Sequence, residues 1–229
     1  MAQNQLNTMK SFDCDSISNS IKGRIRSLEN DAVRAFAPVQ GLDPSPFPIA
    51  MYAFATIDCL SSYWAGWNDG KIRDAKRIKG LFINDGRSQT KRIADFLESF
   101  LGYQQLNSQI ATAIWRHKLM HTAEPRRLRS GADLYHWCIG HDIGAITNKL
   151  RSERLIAEST KISHWSTCKV GGSIAEYLFI MSVQDLITDL RRGVLGSNGY
   201  LERLMNSREL QTNCVEFSDE CDSYQFNPI

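Results

Sequence analysis

The chain has 229 residues, with 27 Lys and Arg against 25 Asp and Glu, so its formal charge is only +2 with histidine neutral. That balance excludes a globally basic nucleic-acid coat, and 42 % hydrophobic with 23 % charged residues argues against a disordered chain or a membrane channel. A chain of this length hides roughly two-thirds or more of its unfolded surface, so no metal or cofactor is needed merely to fold.

Residues 1–20 are polar and rich in Asn, Ser and Asp, and are expected to form a loose arm. They lack the basic-then-apolar order of a secretory signal, which points to the cytoplasm. A first amphipathic helix begins near Ser20, with Ile21, Ile25, Leu28, Ala32 and Phe36 at helical spacing. Pro38, Pro44, Pro46 and Pro48 stop it, since each proline removes a backbone donor and biases its predecessor away from helix. A second helix over about residues 49–64 is apolar on almost every side, as expected at the centre of a bundle. Its most apolar part is interrupted by Thr56 and Asp58 and falls short of the roughly 18 residues a bilayer requires, so no membrane partner is expected. Asp58 must pair, face solvent or serve a site.

Residues 69–92 carry eight basic residues against three acidic ones, a patch suited to phosphate or to a solvated connector. A third helix follows, with Ile93, Phe96, Leu97, Phe100 and Leu101 on one stripe and Gly102 as its stop. A fourth spans about residues 105–121, ahead of a basic turn with Arg126, Arg127 and Arg129. Residues 134–139 and 176–181 read as short strands, giving a small β-hairpin or sheet in the C-terminal half. Ser182 and Asp185 form a capping pattern for a last helix through Leu186, Ile187, Leu190 and Val194. Residues 211–229 hold four acidic residues and no Lys or Arg, and read as an acidic tail. The organisation expected is one mainly α domain over residues 21–210, between the arm and the tail. The six cysteines are dispersed and read as free thiols.

Phosphate-loop, dinucleotide-binding, nucleophile-elbow and zincin signatures are all missing from the sequence. The chemistry that remains centres on histidine. Arg116 and His121, five positions apart, pair a permanent cation whose fork matches phosphate oxygens with a group that exchanges protons near neutral pH. RNA supplies its own 2′-hydroxyl nucleophile, so such a pair suits phosphodiester cleavage without metal. On an ideal helix the two side chains stand about 140° apart, so convergence needs a frayed end, the reach of arginine or a second copy across a two-fold axis. His117 and His121 at i, i+4 share a face and form an alternative metal-chelating pair. A third constellation, His136, Cys138, His141, His164 and Cys168, either packs in the core, as cysteines and tryptophan-flanked histidines commonly do, or forms a metal site if its members meet in space, and no bound metal is expected.

The run Arg116-His117-Lys118-Leu119-Met120-His121 resembles the Arg-x4-6-His motif of ribonucleases in the HEPN superfamily of helical domains. The order of elements is similar as well: an apolar helix, a basic connector, a Phe-rich helix, Ile114-Trp115 entering the motif and Pro125 just after it. The likeness covers about residues 49–125, with a weaker echo at Leu186 and Leu190. Family members commonly carry asparagine after the arginine, where this chain has His117. The resemblance implies a HEPN-like bundle that dimerises around one cleft and cleaves RNA without metal, leaving a cyclic phosphate. By position, His121 is then the acid/base, Arg116 the phosphate-stabilising cation and His117 an orienting or proton-sharing group. Charge adds Lys118, Arg126, Arg127 and Arg129 as RNA-backbone contacts. The expected function is a metal-independent endoribonuclease of toxin or defence type, with no cofactor, RNA as substrate, a homodimer and a regulatory or antitoxin partner. The alternative is a non-catalytic nucleotide-, RNA- or protein-binding module.

Overall fold

A computed structural model describes residues 13–37, 45–65, 88–114 and 127–223. Helix α1 runs over Cys14–Ala35, so it starts earlier than the hydrophobic stripe alone predicts and takes in the end of the expected arm. The cause is Asp13, whose carboxylate accepts the backbone N–H groups of Asp15 and Ser16, both at 3.1 Å, and so satisfies donors that a helix start leaves open. Ile21, Ile25, Leu28 and Ala32 are buried, as their spacing requires. Each large aliphatic in that row contributes about 1.5–3 kcal/mol by leaving water.

Helix α2, Phe47–Ala65, lies at the centre and packs on α1 and on helices introduced below. The lone acid of the helix, Asp58, meets Arg92 at 2.6 Å, so an arginine of the next described helix partners it. That helix, α3, spans Ser88–Phe96 and widens into a π-helical turn over Leu97–Leu101. Gly102 ends it with φ +73°, a left-handed conformation that glycine adopts without a Cβ penalty. Helix α4, Gln105–Thr112, follows; every residue from Asn107 to Ile114 is buried.

The β element is a four-stranded mixed sheet: β1 Leu128–Ser130, β2 Asp133–Gly140, β3 Ser166–Lys169 and β4 Glu176–Ser182, in the order β1-β2-β4-β3. β2 and β4 are the two strands legible in the sequence, and they pair parallel with Leu134 opposite Glu176 and Gly140 opposite Ser182. A parallel pair needs a crossover. Helix α5, Ile143–Ser152, lies in that connection and packs Ile146 and Leu150 against Leu178 and Ile180 on one sheet face. The other face, with Phe179 and Met181, joins the core of the helical bundle.

Ser182 caps helix α6, Val183–Leu195, by accepting the N–H of Asp185 at 3.2 Å, as predicted. α6 is not the last helix. Helix α7, Tyr200–Asn206, and helix α8, Arg208–Ser223, follow it. Through Ser223 the expected acidic tail is therefore helix, and it packs on α2: Cys214 and Val215 are buried, and the amide of Asn213 donates to the carbonyl of Trp64 at 2.9 Å. The molecule is thus mainly α with a small sheet, and among the described residues no helix is long and apolar enough to cross a membrane.

Candidate functional site

Arg116, His117, Lys118, His121 and Arg126 lie outside the described residues, as does most of the basic stretch at 69–92. The described chain brackets the motif on both sides. Ile114, two residues before Arg116 and two past the end of α4, is fully buried. After the motif, Arg127 and Arg129 are exposed, while Leu128 between them packs against the main core at edge strand β1.

The five-member histidine and cysteine constellation does not converge. His136 and Cys138 do share a face of β2, and Cys168 comes to that face through β3, since His136 and Cys168 both lie opposite Leu178. His136 instead approaches Glu176, at 3.6 Å. Burial pushes the Cys138 thiol up to about 11 and raises Cys168 as well, so neither offers a ready thiolate. His164 and His141 belong to two other places. Among the described residues no group of three His, Cys, Asp or Glu side chains is arranged to hold a metal ion.

His164 sits in a buried polar relay. Its Nδ1 accepts the backbone N–H of Ser182 at 3.0 Å, which places the ring proton on Nε2. Nε2 then donates to Tyr103 Oη at 2.9 Å, Tyr103 donates to Asp189 Oδ2 at 2.8 Å, and Arg192 donates to Asp189 Oδ1 at 2.6 Å. Burial holds the His164 pKa below its ordinary value, against the opposing pull of Asp189 and Asp185. Burial and the Asp189 carboxylate together keep the Tyr103 phenol protonated. The neighbouring Trp165 has φ +56°, a conformation that L side chains rarely adopt. Its ring stacks on Tyr103 at 4.2 Å and its carbonyl accepts the amide of Asn107 at 2.9 Å. The relay therefore ties the segment before β3 to the first turn of α4 and to α6.

His141 and Asp142 stand where β2 ends, beside the end of its parallel partner β4. Gly140 allows the turn there, because a Cβ at that position would run into the side chain of Ile146. Asp142 caps α5 through Oδ1, accepting the N–H of Ala145 at 2.8 Å, and accepts His141 Nδ1–H through Oδ2 at 3.1 Å. These bonds, the Ala145 N–H first, hold its carboxyl below the usual range. The His141–Asp142 bond orients the imidazole. It closes one end of a cleft of about 280 Å³ between α1 and α6, with its ring 4.3 Å from that of Phe36.

No protein family, curated protein or solved structure matches this chain. The site must be argued from its own residues.

Sequence reasoning singled out His141 and His164 for the wrong partners, and it missed Tyr103, Asp142 and Asp189. A strand ending in Gly-His-Asp before a helix is a local signal for the His141–Asp142 pair. The relay has none, because Tyr103 is separated from His164 by 61 positions and from Asp189 by 86.

Proposed function

We propose that this protein is a metal-independent endoribonuclease of toxin or defence type, acting through Arg116 and His121 in a cleft shared by two copies of the chain. The observation that carries the reading is the Arg116-x4-His121 motif. Two further features support it. The chain enters the motif from buried Ile114 and leaves it through exposed Arg127 and Arg129, which offers cations to a phosphate backbone beside the proposed chemistry.

In this reaction the 2′-oxygen attacks the adjacent phosphorus while the bond to the 5′-oxygen breaks. His121 removes the 2′-proton or protonates the leaving 5′-oxygen, and the copy of the motif in the second protomer supplies the complementary histidine. Arg116 places its fork on the phosphoryl oxygens as their charge grows in the transition state. His117 orients the strand, and Lys118, Arg126, Arg127 and Arg129 hold its phosphates.

Mixed RNA incubated with the full chain in EDTA is the test. Fragments are expected from the parent chain and not from the His121→Ala variant. Arg116→Lys is expected to lose most activity, because lysine keeps the charge and loses the two-pronged geometry. Intact RNA with every variant favours the non-catalytic binding module instead. A strict monomer across micromolar concentrations in sedimentation contradicts the shared cleft.

A further inference from the structure

We propose that His164 is an acid-operated latch: neutral, it holds the junction between β4 and α6 through Ser182, and protonated, it turns to Asp189 and releases that junction. The argument starts from what the ring can hold. The Ser182 N–H donates to Nδ1 across 3.0 Å, and only an unprotonated ring nitrogen accepts it. An imidazolium carries a proton on both nitrogens, so the charged ring and this bond exclude each other.

The charged ring has a second partner within reach. Asp189 Oδ2 stands 3.9 Å from Nε2, and Tyr103 Oη lies between them, accepting from the ring and donating to the carboxylate. Among the described residues, the titratable and charged groups that face His164 or its partners are Tyr103 before α4 and Asp185, Asp189 and Arg192 on α6. Arg192 holds Asp189 Oδ1 at 2.6 Å, but its side chain is 70 % exposed against 10 % for His164 and 17 % for Asp189, so water screens it far more. The carboxylates of α6 therefore draw a positive ring towards Asp189, while burial resists charging it. Burial is the larger of the two, which sets the release below the ordinary histidine value of about 6.5.

Ser182 is where the release is felt. It ends β4 opposite Gly140, and its hydroxyl caps α6 by accepting the Asp185 N–H, so it is the link between sheet and helix. The support on the other side is strained. Trp165, next to His164, is kept at φ +56° by its N–H on the carbonyl of Ile180 and by its own carbonyl on the amide of Asn107, both at 2.9 Å. Once the His164 tie is gone, the Ser182 N–H has lost its acceptor and water must reach it. The packing of α2 on α1 and α8 lies outside the relay, so the opening is local.

This inference does not rest on the nuclease reading, because none of these groups belongs to the Arg116–His121 motif. The test is NMR of the full chain labelled with nitrogen-15, from about pH 7.5 to 4.5, following the His164 ring nitrogens and the exchange of the Ser182 amide after correction for its intrinsic pH dependence. Nδ1 is expected to read as a bare acceptor near neutral pH. As it is protonated, Ser182 exchange is expected to rise about tenfold, the worth of one hydrogen bond, with the same midpoint and with the amides of α2 still protected. His164→Asn should keep Ser182 protected throughout, because its amide oxygen accepts the N–H without titrating. Asp189→Asn should move the midpoint to lower pH, because it removes the carboxylate that receives the charged ring. Both variants are checked by thermal unfolding, and the curves of the parent chain suffice if neither folds. A ring that stays neutral to the acid end, Ser182 exchange unchanged through the His164 titration, opening of His164→Asn at the parent midpoint, a midpoint unmoved in Asp189→Asn, or loss of α2 protection in step with Ser182 overturns the proposal.

Discussion

Tyr103 donates its phenolic proton to Asp189 across 2.8 Å while its own oxygen accepts His164 Nε2–H at 2.9 Å. One hydroxyl thus joins the residue just before α4, the segment just before β3 and a carboxylate of α6. Tyr103→Phe keeps the ring stack on Trp165 and deletes both hydrogen bonds, leaving a buried donor and a mostly buried carboxylate without that partner. The expected loss is about 2 kcal/mol of folding stability, read as a lower denaturant midpoint at unchanged slope. An unaltered midpoint would show that the relay is not stabilising.

The same relay makes stability depend on pH. Burial lowers the pKa of His164 in the fold, so between the folded and unfolded values the unfolded chain binds more protons. Its contribution is therefore complete above about pH 6.5 and is lost as pH falls through that window. A proton on Nδ1 would also expel the Ser182 N–H that this nitrogen accepts. Unfolding midpoints between pH 7 and 5 should fall more steeply for the parent than for His164→Asn, whose amide oxygen can accept the same N–H without titrating. Parallel slopes would refute the assignment.

Two glycines should respond oppositely to the same substitution. A Cβ at Gly193 of α6 would collide with the backbone carbonyl of Phe100 in the π-helical turn, so Gly193→Ala forces two packed elements apart at a cost of about 1–3 kcal/mol. Gly23 lies exposed in α1 with open space where a Cβ would stand, and Gly23→Ala should stabilise by about 0.5–1 kcal/mol through helix propensity. Thermal unfolding of the two variants gives the comparison directly: a stabilising Gly193→Ala would mean that the α6 contact is not tight, and a destabilising Gly23→Ala would contradict the open space at that position.

The bundle was legible where a long apolar period existed. Ile21 to Ala32, the all-round apolar α2, Gly102 as a stop and Ser182 as a cap each follow from a local physical rule. What escaped detection lacked such a period. Ile143, Ile146 and Leu150 make a stripe too short to stand out among Gly144, Thr147 and Asn148, and the signal for α5 is the Asp142 cap. β3, with Ser166, Thr167 and Lys169, is polar and becomes a strand only because β4 offers it an open edge. α8 was obscured by its acids, although Leu210, Cys214 and Phe217 repeat at helical spacing and meet α2. The relay and the His141 cleft arise from tertiary contacts between distant segments, and no reading of neighbouring residues assembles them.

The central claim, that Arg116 and His121 direct the RNA's own 2′-hydroxyl onto phosphorus without a metal, is tested most directly by the ends of the fragments. Mass spectrometry of products formed in EDTA should find 2′,3′-cyclic phosphate opposite 5′-hydroxyl, with no cleavage of the same strand carrying 2′-O-methyl groups and none by His121→Ala. Fragments ending in 3′-hydroxyl and 5′-phosphate, or cleavage that persists in His121→Ala, would contradict the account.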